Sequence, residues 1–141
     1  NILQDIWDDH RRSVCWLPQD KFTNPAFNLE ELTPNHNSPA FRKGLEQLVA
    51  IAHLHLRNAL EYTLLIPKTE TGIRYFCLWA LGMAVLTLKE IKANLDFAAP
   101  DQVKISRRAV KSTVLATRLA VRSDLALKAL FAITSYGLKS R

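Results

Sequence analysis

A serine–proline pair and a later lone proline set the strongest constraint on how this chain can fold. Ser38-Pro39 places an N-cap residue before a proline in the first helical turn, and Pro67 bars helix from continuing through it. Between these marks Phe41, Leu45, Leu48, Ala52, Leu56 and Ala59 recur at intervals of three and four, the spacing of a single helical face. Such a helix, on the order of 40 Å long at ~1.5 Å per residue, exposes an apolar stripe that other elements must cover. No stretch of the chain shows the sustained two-residue alternation of a strand. The covering elements are therefore helices, and the fold class is all-α.

The rest of the chain supplies them. A second long helix is expected over 71–92, apolar nearly all round in its first half, which implies burial on several sides. Its longest apolar run, 75–86, has twelve residues. A membrane span needs roughly 20, so this run reads as a core helix rather than a transmembrane segment. Residues 1–9 read as the end of a helix, and Cys15-Trp16-Leu17-Pro18 as an extended segment. Asn28 and Glu31 have capping-box spacing for a short helix. Residues 33–38 and 94–104, the latter holding Pro100, read as loops. Ser106 and Asp124 are expected N-caps of two further helices, with Gly137 as a terminal stop. There is no internal repeat, so the chain reads as one helical unit.

With 48% hydrophobic and 23% charged residues, the chain has ordinary globular composition and enough apolar mass for a core. It lacks the pattern of a signal peptide. Cys15 and Cys77 stand far apart, which points to a reducing, cytoplasmic setting rather than a disulfide framework. His53 and His55, two apart on a helix, point to different faces and make a poor metal pair. The chain does not begin with Met, and its first residues already read as helix, so a portion of a longer protein is expected. Charge is distributed unevenly. Residues 1–31 carry six acids and three bases, net −3; residues 101–141 carry two acids and nine bases, net +7. An acidic front suits a cation, and a basic tail suits an anion.

The acidic front has a definite geometry. Asn1, Asp5 and Asp9 sit at i, i+4 and i+8, a single stripe on an α-helix. Two carboxylates and an amide oxygen form a hard-oxygen surface. Magnesium is typically held by one or two carboxylates, water and substrate phosphate oxygens. The spacing suits such a clamp; an acidic solvated face paired with His10, Arg11 and Arg12 fits it as well.

The flanking residues add a resemblance. Asn1-Ile2-Leu3, Asp5, Asp9, the pair Arg11-Arg12 and then Trp16-Leu17-Pro18 resemble the second aspartate-rich motif of the squalene/phytoene synthase family. Family members often have arginine where this chain has Val14, and the squalene-forming branch often has arginine at the place of Gln4. Phe76-Cys77, Met83-Ala84 and Thr87-Leu88 match a cavity-lining helix of that branch, which usually carries Pro-Gln in place of Ala80-Leu81. Val103-Lys104-Ile105, followed by Arg107-Arg108, is similar to the branch's NADPH-binding segment.

The resemblance implies a C-terminal portion of the helical isoprenoid synthase fold, which surrounds a central apolar cavity. Its implied activity is head-to-head condensation of two farnesyl diphosphates to presqualene diphosphate, then NADPH-dependent reduction to squalene. Asn1, Asp5 and Asp9 would ligate Mg²⁺. Arg11 and Arg12 would approach the diphosphate, and Phe76 and Cys77 would line the cavity. Lys104, Arg107 and Arg108 would hold NADPH. Catalytic weight would fall on Asp5, Asp9 and Phe76. A first aspartate-rich site is absent from these residues, so the chain alone is expected to be inactive. Two other readings remain: a phytoene- or dehydrosqualene-type synthase without reduction, and a non-catalytic helical module with an anion-binding tail. The expected partner is a prenyl diphosphate rather than nucleic acid, in the cytoplasm, with peripheral membrane contact left open.

Overall fold

Helix punctuation holds at the two prolines. The structure, a computed structural model, describes residues 2–23, 27–33 and 38–138. The described residues form α1 (Ile6–Arg11), α2 (Asp20–Thr23), α3 (Pro39–Leu65), α4 (Thr71–Ala93), α5 (Arg107–Ala120) and α6 (Asp124–Thr134), with 3₁₀ turns at Leu29–Glu31 and Pro100–Val103. There is no strand among them, so the fold class is all-α. The Ser38 hydroxyl accepts from the Phe41 N–H at 3.4 Å, and α3 stops at Leu65, two residues before Pro67. The Ser106 hydroxyl likewise accepts from the Ala109 N–H at 3.1 Å to open α5.

α3 and α4 are joined by a short connection and pack side by side; α5 and α6 also pack on α4. One core gathers around Phe41. Its ring stacks on Phe22 at 5.7 Å and lies 5.6 Å from Phe27 and 6.1 Å from Trp7. Burying each large side chain contributes about 1.5–3 kcal/mol. Gly44 lets Phe22 approach α3: a Cβ there would stand 2.3 Å from the Phe22 ring. The second core joins Leu60 of α3 and Leu78 and Leu81 of α4 to Ala120, Val121 and Leu127.

Three expectations need correction and a fourth needs refining. Residues 2–4 are turns, and helix begins only at Ile6 behind Asp5, whose side chain makes no capping bond. The Asn28 side chain caps Glu30 N–H rather than pairing with Glu31, because the following turn is 3₁₀ and tighter than α. Ser123, not Asp124, caps α6. The fourth is a refinement: α4 is packed on several sides, as expected, but leaves one flank open. Leu78, Leu81, Val85, Leu88 and Ile91 form one buried stripe, while Ile73, Phe76 and Met83 are exposed. By length and composition alone α4 could cross a membrane, although its consecutive apolar run is short; in the fold it is the central helix, with α3, α5 and α6 against it.

Asp124 has a different task from capping. Arg74, fully buried in α4, donates from Nη2 to Asp124 Oδ1 at 2.6 Å, and Lys68 Nζ lies 3.0 Å from Oδ2. The acceptor locks the start of α6 to the start of α4. The hydrogen bond from Arg74, then that from Lys68, holds the Asp124 carboxyl below its ordinary value. A carboxylate with a depressed folded-state pKa stabilises the fold above its unfolded pKa of about 3.9, and that contribution is lost as pH falls through the folded value. Asp124→Asn should therefore melt below wild type at pH 7, with the gap closing as pH drops below about 4. A gap in melting temperature that stays constant from pH 7 to pH 2.5 would show that the ion pair does not contribute.

Candidate functional site

The acidic turn is held in place by its neighbours on α1. Ile6 and Trp7 are the buried residues of this helix. The Trp7 ring packs on Phe41 of α3, and its indole N–H donates to the carbonyl of Phe97, in the loop after α4. Three elements thus meet at one side chain. Asp5 and Asp9 flank it one helical turn apart, joined by the Asp9 N–H donating to the Asp5 carbonyl at 2.8 Å. Both are half-buried, and among the described residues neither carries a salt bridge. Asp8 points elsewhere and pairs with Arg11. Arg12 is exposed at the C-cap of α1. Asn1 lies outside the described residues.

The segment before Asp5 borders a cleft of about 780 Å³. Ile2, Leu3 and Gln4 form one edge of it, and Ala52, His55 and Leu56 of α3 another. Its floor is the α4 stripe of Ala80, Met83, Ala84, Thr87, Leu88 and Ile91, and Lys104 and Ile105 close it. The stretches singled out in the sequence around residues 2–4, 83–88 and 104 therefore converge on one space, although they are far apart in the chain. Thr87 turns its hydroxyl back to the Met83 carbonyl at 3.0 Å, which leaves its methyl group for the cleft. Asp9 borders a separate shallow crevice beside Val14, Cys15 and Trp16, and Ile2 lines both spaces.

Not every expected residue reaches the cleft. Phe76 stands on the same α4 stripe as Ala80 and Met83, one turn earlier, and is 75% exposed. Cys77 is half-buried beside it and, like Cys15, is free. Arg107 and Arg108 are exposed in the first turn of α5 and do not line the cleft as Lys104 does. Of the pair Ala80-Leu81, Ala80 faces the cleft and Leu81 faces α5 and α6. Sequence reasoning missed the α3 wall. Ala52 and Leu56 were legible as apolar periodicity, but nothing marked His55 as their neighbour on this side.

The donor set defines what the site can hold. Among the described residues no group of three or more His, Cys, Asp or Glu side chains is placed to hold a metal. Asp5 and Asp9 supply hard oxygens only, one turn apart, which fits an ion that takes its remaining ligands from water and phosphate. This is an all-helical protein with an oxygen-bearing turn at the rim of an apolar cleft. Residues 1–109 match the family model described as squalene/phytoene synthase, and the chain belongs to that family. Members of this family condense prenyl diphosphates head to head and generally use Mg²⁺ to bind them. Neither the curated proteins nor the solved structures contain a match to the chain.

The three-way meeting at Trp7 can be tested directly. Trp7→Phe keeps most of the ring packing but leaves the Phe97 carbonyl without its donor. An unsatisfied buried polar group costs about 1–3 kcal/mol. Urea unfolding should show a loss in that range, and hydrogen exchange should rise in 94–104. Unfolding and exchange identical to wild type would show that the indole does not tie the loop to α1.

Proposed function

We propose that these residues form the second metal-binding half of a squalene synthase, whose whole chain joins two farnesyl diphosphates and reduces the product with NADPH. The observation that carries the reading is the convergence of residues 2–4, the α4 stripe and Lys104 on a single apolar cleft. In this reading Asn1, Asp5 and Asp9 ligate Mg²⁺. When bound, the ion neutralises diphosphate charge and assists its departure. Arg11 and Arg12 approach the phosphate oxygens, with Arg11 exchanging its pairing with Asp8 for the substrate. Phe76 and Cys77 continue the α4 wall beyond Ala80. That wall keeps water from an allylic cation, and the Phe76 face can stabilise positive charge by roughly 0.5–2 kcal/mol. Lys104, Arg107 and Arg108 hold the phosphate of NADPH.

The family resemblance implies a second aspartate-rich helix that completes the site, so in this reading these residues alone do not turn over substrate. In this reading the whole protein works in the cytoplasm, with peripheral contact to a membrane that can take up an apolar product.

In the complete enzyme, Asp5→Ala or Asp9→Ala should each lower kcat by about 100-fold or more, by analogy with removal of one charge-stabilising donor. Partial recovery at raised Mg²⁺ is expected. Product analysis with and without NADPH separates the branches. Squalene formed only when NADPH is added supports the reduction, and Lys104→Glu should then raise the KM for NADPH. Products unchanged by NADPH would replace this reading with a phytoene- or dehydrosqualene-type synthase. Wild-type rates in both aspartate variants would remove the metal assignment.

A further inference from the structure

On the opposite flank of α4 from the cleft lies a second, partly open space of about 230 Å³, bordered by α3, α4, α5 and α6. The geometry points to a second ligand site here, for an uncharged hydrocarbon group, separate from the cleft beside the acidic turn. The lining contains no charged side chain. Leu81 and Val85 of α4 face Ala116 of α5 and Leu127 and Phe131 of α6 across it. Two of its four hydroxyls are turned away: Thr113 donates to the Ala109 carbonyl at 2.9 Å and Thr134 to the Leu130 carbonyl at 2.8 Å. Their methyl groups are left to face the space. Water needs two to four polar partners to settle in a cavity, and among the lining side chains only the Ser112 and Thr117 hydroxyls are left to offer them.

Size narrows the class of ligand. An apolar cavity of ~150 Å³ takes benzene, so a space half as large again suits about nine carbons. A charged head such as a diphosphate finds no partner inside. Ser112 is the exposed member of the lining, so access is from the α5 side. The void persists because its walls cannot close. Gly82 already lies against α5, where a Cβ would stand 2.4 Å from Thr113 Cγ2, so the two helices touch at that point and cannot move nearer. An empty apolar void forfeits dispersion contacts, and a hydrocarbon that fills it restores them. No cleft residue forms part of this site; the α4 residues facing the cleft are Ala80, Met83, Ala84, Thr87, Leu88 and Ile91.

Titration of the methyl-labelled full chain with toluene, in buffer free of Mg²⁺ and diphosphate, tests this inference. Saturable methyl shifts at Leu81, Val85 and Leu127 are expected. Ala116→Phe should weaken them at least tenfold while leaving Leu56 and Met83 in the cleft unchanged. Should Ala116→Phe fail to fold, Ser112→Phe at the mouth is expected to slow or block the same shifts. Saturation at Leu81, Val85 and Leu127 supports the site, whatever the cleft does. No saturation at these three residues, or shifts confined to Leu56 and Met83, overturns it. Because neither metal nor phosphate is present, failure here leaves the assignments of Asp5 and Asp9 untouched.

Discussion

The position of the acidic turn depends on Trp7. α1 has six residues, too few for a helix to persist in water by its own hydrogen bonds. Its carboxylates are placed only because one indole inserts between Phe41 and the 94–104 loop and donates to the Phe97 carbonyl. The opposite end of that loop carries Lys104 into the cleft. A second tie, the bidentate pairing of Arg42 with Asp96, fastens the same loop to α3 from outside. Surface pairs of this kind contribute little energy, so the buried indole is the stronger determinant of where the acids and Lys104 stand relative to each other.

α4 serves two spaces because its residues sort by angle. Leu78, Leu81 and Val85 face the packed side, and Ala80, Met83, Ala84 and Thr87 face the cleft. A residue pair that is adjacent in sequence, Ala80-Leu81, therefore divides between them. Alanine rather than proline at position 80 also preserves every backbone donor in that turn, consistent with a helix that runs unbroken from Thr71 to Ala93. The small side chains on the cleft side leave room there, while the larger leucines on the other side fill most but not all of the space toward α5 and α6.

Much of the fold was legible because it is punctuated by residues with local chemistry. Ser38, Pro39, Pro67 and Ser106 each act on their own turn, so no tertiary knowledge is needed to place them. The errors fall where distant groups decide. Asp124 reads as a cap from its neighbours, yet it accepts from Arg74, fifty positions earlier, and Ser123 takes the cap. The all-round apolarity of α4 reads as burial on several sides, but composition cannot say which flank lacks a covering element. The spacing of Asp5 and Asp9 was legible as one turn, and the approach of residues 2–4, just before them, to the cleft was not. The α3 wall, with His55 beside Ala52 and Leu56, carries no motif and emerges only when α3 and α4 are packed together.

The charges near the cleft form an unequal pair. Lys104 stands at its edge, and Arg107 and Arg108 occupy the first turn of α5, where the helix dipole opposes cations by about 0.3–1 kcal/mol each. Among the described residues no carboxylate pairs with any of these three. Asp5 and Asp9 are equally without a cationic partner on the other side. The fold could have relieved both costs by letting the two sets meet, and Asp8 with Arg11 shows that such a pairing is within reach on α1 itself. Instead, Lys104 stands at the cleft, Asp5 follows directly on the residues 2–4 that border it, and Asp9 lies on a neighbouring crevice. Without a partner of opposite charge among the described residues, each set is available to a ligand of opposite charge.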